Sequence, residues 1–180
     1  MWTVKSTSMK WFIIFVFILA TAVKCSASDI KEKKQIKQEA ARFTKCNEKY
    51  VSDCYAITRR VKRGEPYRTN CSTISKHAWG NNVTMRGEIL IDGLAIEIVR
   101  GEICDLLKID WVYNFTMTYS NVRHCPYKAG YYAFFNIELP PRNMPQNILK
   151  LIKGQFTTNV YFLLTKTGET IIEMTVTLRT

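Results

Sequence analysis

The sequence predicts an all-β fold, two antiparallel sheets packed as a sandwich, with one short helix. Three observations carry this. Val83–Ile91 and residues 94–100 are β-rich runs separated by Asp92-Gly93, the pair that suits a two-residue primed turn. Apolar and polar residues alternate over residues 131–139 and again over 172–179, the period of a strand with one wet face. Repeated strand–helix units, which a parallel sheet would need, are missing.

In chain order, residues 30–42 are rich in Lys, Glu and Gln and read as a short polar helix or a frayed terminus. Val51, Tyr55 and Ile57 mark a first strand that runs into the basic cluster Arg59, Arg60, Lys62 and Arg63 before Gly64. In the hairpin, Ile89 and Ile91 share a face, as do Ile96 and Ile98. Residues 103–113 place Cys104, Leu107 and Trp111 at spacings of three and four, which gathers them on one side of a short helix. The row Tyr131, Ala133, Phe135, Ile137, Leu139 is the apolar face of a strand that stops at Pro140-Pro141. Residues 156–164 form another strand, Thr167-Gly168 a turn, and Ile172, Met174, Val176, Leu178 the inward row of the last strand.

Lys5 and Lys10 followed by the apolar run Trp11 to Val23 have the layout of a secretory signal, too short to span a bilayer. Cleavage is expected after Ala22 or after Ala27. The reading is therefore residues 1–27 signal, 28–45 a polar segment and 46–180 one domain. Export implies an oxidising compartment, where Cys46, Cys54, Cys71, Cys104 and Cys125 read as disulfide partners, and Cys54 is expected to pair with Cys46 or with Cys71. Three sequons, at Asn70, Asn82 and Asn114, fit that compartment. The formal charge is +11, and removing Lys5, Lys10 and Lys24 with the signal leaves +8. Such a field attracts anionic surfaces without specifying a fold.

Cys104-Asp105-Leu106-Leu107, then His124-Cys125-Pro126-Tyr127-Lys128-Ala129-Gly130-Tyr131, then Leu139-Pro140-Pro141 and a closing hairpin resemble the ML lipid-recognition superfamily, in particular its ganglioside-activator branch. The pattern is also similar to insect secreted CheB-type chemosensory relatives, and it covers roughly residues 83–180. The resemblance implies an immunoglobulin-like sandwich whose sheets are splayed around an apolar pocket, a Cys104–Cys125 disulfide, and no catalytic residues. The chain lacks the late cysteines of the vertebrate activator, and its loop over residues 142–154 is longer and more basic.

The expected pocket lining is Ile89, Ile96 and Ile98 from the hairpin, Leu107 and Trp111 from the helix, Tyr131, Phe135 and Ile137 from the following strand, and Phe162, Met174 and Val176 from the closing hairpin. Lys150 and Lys153 flank apolar residues in the basic loop and are expected to approach anionic head groups. The function expected is a secreted, non-enzymatic protein enclosing a lipid or other hydrophobic molecule, as carrier, presenter or chemosensory accessory. It needs no cofactor or metal, and nucleic acid is not an expected partner. The alternatives are a packed sandwich acting on a receptor or channel and, more remotely, a basic ribonuclease using His77 and His124.

Overall fold

The computed structural model describes residues 36–180 except Val61 and residues 141–143. The signal segment, both cleavage patterns, Cys25 and Arg142 lie outside the described residues.

Among the described residues, eight strands and three short helices follow one another: β1 (Lys37–Cys46), β2 (Val51–Arg59), β3 (Arg68–Ser75), β4 (Val83–Ile91), β5 (Leu94–Glu102), α1 (Ile103–Leu106), α2 (Asp110–Tyr119), β6 (Gly130–Ile137), α3 (Gln146–Leu149), β7 (Gln155–Leu164) and β8 (Thr170–Arg179). They form a five-stranded sheet ordered β1-β8-β7-β4-β5 and a three-stranded sheet ordered β2-β3-β6, all pairs antiparallel.

The segment read as a polar helix or frayed terminus is, from Lys37 onward, strand β1 on the edge of the larger sheet. Two register shifts interrupt its alternation, between Gln38 and Ala40 and between Phe43 and Lys45. The residue it buries most deeply is polar: Gln38, 2% exposed, donates through Nε2 to Ile137 O at 2.8 Å and accepts from Thr69 Oγ1 at 2.8 Å. A polar composition thus hides an inward row, because hydrogen bonds across the sheets offset the desolvation of the amide.

The chain changes sheet between β1 and β2. Cys46–Cys54 bridges that corner. Asn47 Nδ2 and the Tyr50 hydroxyl donate to the two oxygens of Glu169, at 3.0 and 2.9 Å, and pin it to the β7–β8 turn. The predicted helix over residues 103–113 is two helices. After Leu106 the amides of Lys108 and Ile109 bond three residues back, a tightened turn, and extended Ile109 restarts the chain as α2 with Asp110 in the first turn. The second disulfide, Cys104–Cys125, ties α1 to the segment before β6. The connection between β6 and β7, with residues 142–154 expected as a loop, contains α3.

Two groups of buried side chains hold the sheets together. Ile89, Met144, Ile148, Phe156, Val176 and Leu178 pack near one end, and Tyr50, Val51, Trp79, Val83, Ile171 and Ile172 near the other. The end with the first group also carries the β2–β3 loop, the Asp92-Gly93 turn and the 138–154 connection.

Candidate functional site

Between these clusters the interior is not filled. The two sheets and α2 enclose a cavity of about 270 Å³, far more than the voids of about one water molecule that ordinary cores contain. Inward residues of β7 and β8 supply one wall: Phe156, Thr158, Val160 and Phe162, then Ile172, Met174, Val176 and Leu178. Met85, Gly87 and Ile89 of β4 continue it, with Ile98 and Val99 of β5. The opposite wall is Thr69, Cys71 and Thr73 of β3 and Tyr132, Phe134 and Ile137 of β6. Trp111, Val112, Phe115 and Thr116 of α2 close one side, and Ile36, Leu139, Met144 and Ile152 one end.

Local geometry shapes the β4–β5 part of this wall. β5 carries an extra residue opposite the Gly87–Glu88 step, so both Ile98 and Val99 reach the cavity. Gly87 is what lets them approach, since a Cβ there would lie 2.9 Å from Val99 Cγ1.

Several polar side chains in the wall are bonded within the protein. Thr69 is held between Gln38 and Thr58, and Thr73 Oγ1 donates to Ser52 O at 3.1 Å. Burial pushes the Cys71 thiol up to about 11, a hydrogen bond to the Phe134 backbone offsetting part of the effect. Burial, reinforced by the neighbouring Tyr132, pushes the Tyr127 phenol up to about 12. Both groups are neutral at physiological pH, so the wall offers carbon and no charge.

Of the expected lining residues, Ile89, Ile98, Leu107, Trp111, Ile137, Phe162, Met174 and Val176 line the cavity. Ile96 pairs with Ile89 but stays half-buried and outside the lining. Tyr131 and Phe135 are corrections: they face outward, 54% and 48% exposed. Cys71 pairs with Phe134 and Thr69 with Ile137, so two steps on β3 oppose three on β6, and Asn136 takes a positive φ of 52°. This bulge inverts the alternation. Tyr132 and Phe134 point inward before it, and Ile137 points inward after it.

The sequence reading also missed β3, whose inward row Thr69, Cys71, Thr73 and Ser75 is buried yet polar in composition. It missed Phe115 as well, which a helical stripe continued four residues beyond Trp111 would have found. Trp111 is half-buried, and Tyr113 is exposed and outside the lining.

Cys46–Cys54 and Cys104–Cys125 form as expected, leaving Cys71 a buried free thiol. Asn82 and Asn114 are exposed and Asn70 is half-buried. Lys150 and Lys153 are exposed, but Met144 and Ile148 beside them are buried, and of the apolar residues in that connection Leu151 protrudes most, at 38%. His77 and His124 are both exposed, and neither lines the cavity. Among the described residues, no cluster of His, Cys, Asp and Glu could hold a metal ion, and no helix is long and apolar enough to cross a membrane.

No family model matches the chain, and no curated protein matches it. Among solved structures, chicken MD-1 complexed with lipid IVa is similar over 78% of this chain and 98% of its own, with 13% identity and a TM-score of 0.40.

Proposed function

We propose that this protein is exported and encloses a single-chain lipid or a comparable hydrophobic molecule, as a carrier, presenter or chemosensory accessory rather than an enzyme. The cavity carries the reading. Its walls are almost wholly carbon, several of its polar side chains are bonded within the protein, and its titratable groups are neutral. A volume of about 270 Å³ lies just below the usual range of ligand pockets, roughly 300 to 1,000 Å³, and favours one chain over a multi-acyl lipid. Two disulfides fit an oxidising compartment.

Loading is proposed to occur at an anionic membrane surface. The exposed Lys150 and Lys153 share one end of the sandwich with Arg59, Arg60, Lys62 and Arg63 of the β2–β3 region, and Leu94 and Leu151 protrude there. Clustered cations attract anionic lipid, and protruding apolar side chains enter the interface.

Trp79 and Trp111 both line the cavity, so intrinsic fluorescence reports its occupancy. Titration with a brominated fatty acid is expected to quench that emission with saturation near one equivalent per chain. An emission that a non-brominated competitor cannot restore, or that stays unquenched, contradicts an internal site.

A further inference from the structure

The outer face of the three-stranded sheet is as unusual as the interior, and it lies outside the cavity. On β3, Thr69, Cys71, Thr73 and Ser75 are buried, while Asn70 and Ile74 are absent from the cavity lining and belong to the outer face. Tyr55 of β2 pairs with Ser72, and Tyr131 of β6 pairs with Ile74. Tyr55, Tyr131 and Phe135 are respectively 55%, 54% and 48% exposed. Exposed aromatic side chains grouped on one sheet face call for an occupant.

At the centre of this face is the sequon Asn70-Cys71-Ser72. The β6 bulge brings Asn136 against Asn70, whose Oδ1 accepts from Asn136 N at 2.7 Å. That bond fixes the amide plane. Nδ2, the atom that is glycosylated, has no hydrogen-bond partner among the described residues. Phe135, beside Asn136 in the bulge, also forms part of a surface groove of about 470 Å³ with Arg68, Asn121, Arg123, Asn136 and Glu138. An aromatic floor with a rim of amides, guanidinium groups and a carboxylate is what a sugar needs: its C–H face rests on the ring and its hydroxyls bond the rim.

We infer that Asn70 carries an N-linked glycan whose first sugars lie on Phe135 and run into this groove, so that the aromatic face is covered by the chain's own carbohydrate. The inference rests on the reading that the chain is exported. In the attachment step, Nδ2 attacks the anomeric carbon of a lipid-pyrophosphate-linked oligosaccharide in the secretory compartment. The new N–C bond forms as the anomeric C–O bond breaks, the lipid pyrophosphate leaves with the electron pair, and the Nδ2 proton passes to a base.

The test begins with the full chain, leader included, expressed in a secreting eukaryotic host and examined by glycopeptide mass spectrometry. Occupied Asn70 is the result expected. Bare Asn70 beside glycosylated Asn82 or Asn114 overturns the inference while leaving export intact. Three bare sequons on a chain retained inside the cell overturn both. The seat on Phe135 is tested by a double-mutant comparison. Phe135→Ser is expected to lower the Tm of the glycosylated protein by about 3 °C, and to leave Tm unchanged in a Ser72→Ala background, which abolishes the sequon but keeps the Asn70 amide. Equal shifts in the two backgrounds show that the glycan does not rest on Phe135 and overturn the assignment.

Discussion

Phe134 stacks on Phe115 with ring centroids 6.0 Å apart and planes 29° from parallel, joining β6 to α2 in the cavity wall. Its neighbour Phe135 faces solvent. Adjacent phenylalanines therefore have opposite expected phenotypes. An aromatic pair of this kind contributes about 0.5–1.5 kcal/mol beyond its burial, so Phe134→Leu is expected to cost about 1 kcal/mol and to alter fatty-acid affinity. Phe135→Asp, in protein made without glycans, is expected to stay within about 0.5 kcal/mol of wild type and to bind normally. Urea melts and binding titrations of both variants check this.

That contrast marks the limit of what could be read from the chain. The hairpin at Asp92-Gly93 and the row Ile172 to Leu178 were legible because turn chemistry and period-two alternation act locally. On β6 the alternation was equally visible but was assigned the wrong face, since one bulge residue, Asn136, inverts it and no local signal requires a bulge there. β1 and β3 were hidden for another reason. Their inward residues include Gln38, Thr69 and Thr73, whose burial is tolerable only because partners distant in sequence satisfy them, and Ser75, which bonds locally to His77 O. The approach of both Ile98 and Val99 to the cavity depends on Gly87 and the β5 bulge, a relationship between two strands that no single window contains.

The disulfides are expected to differ in weight. Cys104–Cys125 spans 21 residues and Cys46–Cys54 spans 8. Chain-entropy arguments give about 3.3 kcal/mol for the longer loop and about 2.5 kcal/mol for the shorter. Paired Cys→Ala substitutions compared by urea unfolding should preserve that order. A larger loss from the shorter bridge would mean that the sheet-crossing corner at Asn47 and Tyr50 depends on it for more than loop closure.

Alkaline pH should destabilise the fold through Cys71. Its folded pKa is raised from 9.0 to about 11, so its stabilisation is complete below pH 9 and is lost as pH rises toward 11, when the unfolded chain ionises first. A shift of that size corresponds to an effect on the order of 2–3 kcal/mol. Unfolding free energy measured from pH 8 to 11 should fall in wild type and fall less in Cys71→Ala. Native Cys71 should also resist thiol reagents until the chain unfolds. Rapid labelling of the native protein would contradict its burial.

Binding to anionic vesicles is expected to weaken as ionic strength rises. With about 1 kcal/mol per lysine near such a surface, neutralising Lys150 and Lys153 together should weaken binding about 30-fold at low salt, with Tm unchanged. Vesicle co-sedimentation reads this directly. Equal binding by wild type and the double variant removes these lysines from the membrane contact.

The central claim is that the cavity takes up a hydrophobic chain, and the most direct test is affinity across saturated fatty acids of increasing length, measured for wild type and for Val160→Trp, which fills part of the cavity. Each added methylene contributes about 0.8 kcal/mol when buried, or about fourfold in affinity. Wild-type affinity is expected to climb by about that factor per methylene and then level off when the space is full, and Val160→Trp is expected to level off at a shorter chain. Affinity independent of chain length, or the same plateau in both proteins, would contradict an internal binding site.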